Sequence, residues 1–108
     1  MIRVHVKIDD GLIRFLDVRG HARSGNEGNE GVCAAVSVLA RSAASTLRQL
    51  NDVAVDGRAR GPGELSFTVE YGSAAPVEPA RGVSQMLLNG LKGVAAENPC
   101  YCTVEISS

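Results

Sequence analysis

A chain of 108 residues with 44% apolar and 21% charged side chains suits one compact domain over residues 1–108, well supplied with core and too apolar for disorder. No apolar run approaches the roughly 20 residues that cross a bilayer, so no membrane partner is expected. Net charge is −1, the 11 Lys and Arg are spread along the chain, aromatics make up 4% and Trp is absent; this argues against a concentrated positive surface and a base-stacking platform, and so against direct binding to nucleic acid.

Residues 2–8 alternate, with Ile2, Val4, Val6 and Ile8 on one face and Arg3, His5 and Lys7 on the other, which predicts a strand. The same alternation lacks the basic-then-apolar order of a secretory signal, so a cytoplasmic location is expected. Asp9-Asp10-Gly11 turns the chain into a second strand over 12–19, giving a β-hairpin. From Gly20 to Gly31 four glycines, two asparagines and a serine predict a mobile loop without regular structure. Val32, Val36, Leu39, Ala43, Leu47 and Leu50 then recur at helical spacing, predicting a helix that begins close to Cys33 and is capped by Asn29 or Glu30. Strands are expected at 51–55 and 65–71, separated by a turn-rich segment over 56–63. Ala80, Val83, Leu87, Leu91 and Val94 mark a second helix that stops at Asn98-Pro99, and a last strand runs from about Cys100 to Ile106. The order β-β-α-β-β-α-β predicts an α+β fold with a mainly antiparallel sheet and two helices.

Chemistry concentrates between Gly20 and Ser37, which reads Gly20-His21-Ala22, a glycine-rich stretch, then Val32-Cys33-Ala34-Ala35-Val36-Ser37. A free thiol is only a few per cent ionised near neutrality, and the thiolate is the nucleophile, so a reactive cysteine needs a partner that favours the anion. A helix start and an imidazolium both do this, and His21 is the credible imidazole for Cys33. On pattern alone, Cys33 reads equally well as a small core residue and His21 as a loop histidine bonded to a carbonyl. A loop able to close over substrate favours the pairing. His5, on the polar face of the first strand, reads as an ordinary exposed histidine, and Cys100 and Cys102 as core residues. Glu30 is placed to cap the helix, to stabilise a histidinium or to hold the loop, and Ser37 lies one turn beyond Cys33. Three cysteines without a Cys-x-x-Cys pair suggest free thiols, and a His21, Cys33, Cys100, Cys102 zinc site lacks tight ligand pairs. Neither phosphate-loop nor dinucleotide glycine motif is present, and no cofactor is expected.

On Gly20-His21-Ala22 and Val32-Cys33-Ala34-Ala35-Val36-Ser37, with their separation, the sequence resembles the ribosomal-processing cysteine protease family, Prp. The resemblance implies an endopeptidase that removes a short N-terminal extension from a bacterial large-subunit ribosomal protein, the twenty-seventh in that subunit's numbering. It implies Cys33 as nucleophile, His21 as base, support from Glu30 and Ser37, and a homodimer. The family usually has Asp and an apolar residue before Val-Cys, where this chain has Glu30-Gly31. The oxyanion is expected on the backbone N–H groups of Cys33 and Ala34, at the helix start. Two other readings compete: a non-catalytic ribosome-assembly or dimerisation module with Cys33 as a buried thiol, and a thiol redox protein linking Cys33 to Cys100 or Cys102.

Overall fold

The structure is a computed structural model that describes residues 1–20, 27–61 and 64–108; of the side chains at 27–30 and 60–61 nothing is described. The chain runs β1 (Ile2–Asp9), β2 (Leu12–Arg19), α1 (Glu27–Arg48), β3 (Val53–Gly61), β4 (Glu64–Tyr71), α2 (Val77–Glu97) and β5 (Cys102–Ser107). The five strands form one sheet in the order β3-β4-β2-β1-β5, antiparallel except for the parallel pair of β1 with β5. This is the expected α+β fold.

Between β1 and β2, Asp10 (φ 54°) and Gly11 (φ 74°) both take the left-handed region, the signature of a type I′ turn whose twist matches that of the strands. Alternation places Ile2, Val4, Val6, Leu16, Val18, Phe67 and Val69 on one face of the sheet, where they are buried against α1 and α2. Arg3, Lys7, Thr68 and Thr103 stay exposed on the other face, which is open to solvent. A register shift between Lys7 and Ile8 accompanies burial of both Ile13 and Leu16, three residues apart, an irregularity of the kind that re-aims side chains. Here Ile13 N–H donates to Ser84 Oγ of α2 at 3.0 Å, Ser84 O–H donates to the Ala80 carbonyl at 2.8 Å, and Tyr71 O–H donates to the Ile13 carbonyl at 2.7 Å. The buried polar groups of this junction thereby partner one another, as burial demands.

Three boundaries differ from the sequence expectation. β3 continues to Gly61 through the segment 56–63 expected to turn. As an edge strand with a single neighbour, it tolerates Gly57 and Gly61, which would weaken a central strand. α1 begins at Glu27, six residues before Cys33, so Asn29 and Glu30 lie inside the helix instead of capping it; residues 27–31 of the expected loop are helical, and 21–26 lie outside the described residues. The last strand starts at Cys102, because Tyr101 N–H and Cys102 N–H both donate to the Asn98 carbonyl at 3.0 Å and hold Cys100 in the turn.

Candidate active site

The registers Arg3↔Arg19, Val18↔Leu65, Gly61↔Glu64 and Ile2↔Cys102 gather one end of the sheet, where β2 and β3 finish and β1, β4 and β5 begin. Gly20 closes β2 at this end with φ 99°, and a Cβ on it would collide with the Met1 carbonyl. Only glycine satisfies both the dihedral and the close approach. The segment carrying His21 thus leaves from a fixed point, while His21 itself falls outside the described residues.

Four residues link α1 to the start of β3 at the opposite end of the sheet. α1 therefore runs back along the sheet, antiparallel to β3, with its first turns toward the end where β2 stops. Cys33 is half-buried and packs against the core from α1, with Ser37 one turn beyond it and also half-buried. Of Glu30 only its place in α1 is described.

His5 sits on the open face of the sheet. Its Nε2 lies 2.9 Å from Ser107 Oγ, its ring meets Phe15 edge-on at 6.1 Å, and its backbone neighbours across the sheet are Asp17 and Glu105. The sheet itself separates it from Cys33 on the helix side. His5 is thus half-buried and hydrogen-bonded, not the exposed histidine the sequence suggested.

The earlier helix start changes the electrostatics expected at Cys33. As the seventh residue of α1, it lies beyond the first turn, where the helix dipole acts most strongly. In a helix that starts at Glu27, the N–H groups of Cys33 and Ala34 face the carbonyls of Asn29 and Glu30, four residues back, and belong to the helical ladder. For them to receive an oxyanion, the opening turns of α1 must uncoil.

The other two thiols part company. Cys102 is buried, and burial pushes its thiol above the ordinary value. Cys100 is exposed in the turn before β5, not in the core as alternation suggested. Among the described residues no group of three or more His, Cys, Asp or Glu is placed to hold a metal ion. One feature escaped the sequence reading: Arg41 and Arg48 line a groove between α1 and the β3–β4 pair. The seven-residue spacing of Arg41 and Arg48, which returns to one helix face, was the signal available.

The model of the family described as cysteine protease Prp matches residues 1–103. The chain belongs to the Prp cysteine protease family. Similar solved structures span nearly all of it. SMU.848 from Streptococcus mutans is 27% identical, with a TM-score of 0.82 over 99% of this chain and 94% of that one. The essential ribosomal processing protease Prp from S. aureus, in complex with a covalently linked product peptide, is 20% identical, with a TM-score of 0.79 over 99% of this chain and 100% of that one. The same S. aureus protease with a substrate peptide is 16% identical, with a TM-score of 0.76 over the same shares. At these identities the S. aureus structures establish the common Prp fold. No curated protein sequence matches the chain.

Proposed function

We propose that this Prp family member is a cytoplasmic cysteine endopeptidase that removes a short N-terminal extension from a bacterial large-subunit ribosomal protein during ribosome assembly. The observation that carries this reading is the family match over residues 1–103, which includes both Gly20-His21-Ala22 and Val32-Cys33-Ala34. Two features support the pairing of Cys33 with His21. Cys33 is partly accessible on α1, and the chain's other histidine, His5, is committed to the far face of the sheet.

In this mechanism His21 takes the Cys33 proton, and the thiolate attacks the scissile carbonyl to form a C–S bond. As the tetrahedral intermediate collapses, the C–N bond breaks and His21 passes its proton to the leaving amine. Water, deprotonated by His21, then hydrolyses the thioester and returns the thiol. The dyad needs no cofactor. Glu30 stabilises the histidinium or holds the segment carrying it, and Ser37 lines the site one turn from the sulfur. Because Cys33 lies six residues inside α1, substrate binding uncoils the first turns of α1, freeing the Cys33 and Ala34 N–H groups for the oxyanion. The active unit is a homodimer.

The test is mass spectrometry of peptides that copy N-terminal extensions of the ribosomal protein, after incubation with this chain and with Cys33→Ala. Cleavage at one defined bond by the unmodified chain alone is expected. Cleavage by both proteins would remove Cys33 from the mechanism. If neither cleaves and Cys33 alkylates no faster than the buried Cys102, the non-catalytic assembly or dimerisation module becomes the better reading.

A further inference from the structure

β3 forms one edge of the sheet and takes no part in the mechanism above. It has β4 on one side only, so along Val53–Gly61 its outward backbone donors and acceptors have no strand partner among the described residues. Edges are commonly kept short or blunted with lysine or proline. This one is 9 residues long and carries neither, whereas the opposite edge, β5, has 6 residues. Asp56, Gly57, Arg58 and Ala59 are all exposed. The register sets Val55 and Gly57 on the helix side, opposite Val69 and Phe67, and Asp56 and Arg58 on the open face, opposite Thr68 and Ser66. Glycine inside a strand often marks a place where a ligand or another backbone comes close. The register also shifts between Arg58 and Gly61, and such irregularities gather at sheet edges and beside active sites.

α1 overhangs this edge and leads along it to Cys33. Within the sheet α1 packs chiefly on β3, and Arg48 reaches Gly57, where a Cβ would stand 3.1 Å from its Nη2. Ala40 and Ala44 of α1, with Leu65 and Phe67 of β4, give the hollow beneath the helix an apolar lining. At about 230 Å³ it is smaller than the roughly 300–1,000 Å³ of pockets that engulf small molecules, a size suited to side chains projecting from an extended chain. At about 100° per residue, Cys33, Ser37, Ala40 and Ala44 share one stripe of α1. At a rise of about 1.5 Å per residue, Cys33 lies about 22 Å along the axis from Arg48. An extended peptide, at roughly 3.3 Å per residue, covers that distance in about seven residues. Gly61 stands about 13 Å nearer to Cys33 than Gly57 does, which leaves about three residues of peptide between the end of β3 and the sulfur.

Resting on the protease reading, we propose that β3 is the docking strand for the substrate, which extends the sheet by pairing its own backbone with the free edge of β3. A peptide held with its scissile bond at Cys33 lays the residues about three to seven places away beside β3. Alternate side chains of that stretch turn toward the hollow beneath α1, and those between turn to the open face of the sheet. Main-chain hydrogen bonds hold the chain whatever its sequence, and the hollow favours small or apolar side chains. The edge suits the substrate better than a second copy of the chain, because it runs toward Cys33 and the hollow beside it lies on the stripe of α1 that carries Cys33.

The experiment uses fluorescent peptides that copy N-terminal extensions of the ribosomal protein, with a backbone N-methyl group placed at each residue in turn. Binding to the Cys33→Ala protein is read by anisotropy. N-methylation removes one main-chain donor and keeps the side chain. On one side of the bond, from about the third residue to about the seventh, every second N-methyl group should weaken binding about five- to tenfold, and those between should change it little. Amide exchange of the same complex, followed by NMR, locates the pairing: alternate amides of β3 should exchange at least about tenfold more slowly, with β5 unchanged. The docking strand is overturned if N-methylation has no alternating effect, or if protection falls on β5 or avoids the sheet. It is also overturned if the β3 amides of the free protein gain protection as its concentration rises, which would give the edge to a second copy. Cys33-dependent cleavage without the alternation removes the docking strand and keeps the protease. Alternation with β3 protection, without any cleavage by the unmodified chain, keeps β3 as a peptide-binding edge and removes the protease reading.

Discussion

α2 and α1 rest on the same face of one sheet by different means. α2 buries Leu87 and Leu91 and adds a polar pin, Ser84, that both accepts from Ile13 N–H and donates to Ala80; at its end Asn98 returns to the Val94 carbonyl through backbone and side chain. α1 buries Val32, Val36, Ala40, Ala43, Ala44 and Leu47, mostly small side chains, and its opening turns carry Gly28 and Gly31. Small apolar contacts and helical glycines make local opening cheaper. The contrast teaches that the chain concentrates polar pinning in α2 and places Cys33 on the helix with the smaller contacts and the glycine-bearing start.

Cys33→Ala should sharpen this contrast most, lowering peptide cleavage at least about a thousandfold while the melting temperature stays within a few degrees, as calorimetry would show. Ser84→Ala strands the buried Ile13 N–H and should cost about 1–3 kcal/mol, or roughly 4–8 °C per kcal/mol for a domain of this size, with kcat retained. Gly90→Ala should destabilise by a comparable amount, because the new methyl would meet Leu39 Cδ2 at 2.8 Å where the helices cross; an unchanged melt would break the idea that α1 and α2 touch there. Smaller effects come from glycines facing open space. Among the described residues a Cβ at Gly31 of α1 or Gly93 of α2 meets nothing within 4 Å, so alanine at either should add roughly 0.5–1 kcal/mol of stability. Only Gly31→Ala should lower kcat, since it stiffens the turns that must uncoil; equal kcat in both variants would refute the uncoiling step.

The smallest effect is alkaline. Burial raises the Cys102 thiol above 9.0 and the Tyr71 hydroxyl above 10.0, so both stay neutral in the fold at a pH where the unfolded chain ionises. Their stabilisation is whole below about pH 9 and fades as pH climbs through the raised values. Thermal melts from about pH 8 to 11 should show that decline, shallower just above pH 9 in Cys102→Ala.

Much of the fold was legible because β1, β2 and β4 alternate and the two helices carry clear apolar stripes. What hid was local. Gly28, Asn29 and Gly31 masked two turns of α1, although Glu27 and Glu30 are the acids a helix start favours. Gly57 and Gly61 disguised the edge strand β3 as a turn. Alternation read one step too far put Cys100 in the core, whereas the Asn98 carbonyl holds it in a turn. Within the candidate site, the place of Cys33 on the first helix was legible from the apolar stripe around it. Its depth inside α1 was not, since Gly28 and Gly31 outweighed the signal of Glu27 and Glu30. The groove beside Arg41 and Arg48 escaped because it forms only through the packing of α1 on β3.

The parallel pairing of β1 with β5 also dictates the order in which the molecule can be completed. One edge of β1 finds β2 across a tight turn, but on the other edge Ile2 waits for Cys102 and Lys7 for Ser107. Such distant pairings form slowly, after the local hairpin. While the chain is being synthesised, β1 therefore offers an unfilled row of backbone donors and acceptors to any neighbouring polypeptide, a hazard for aggregation. The six residues of β5 act as a latch, shutting that row only once β5 itself has left the ribosome.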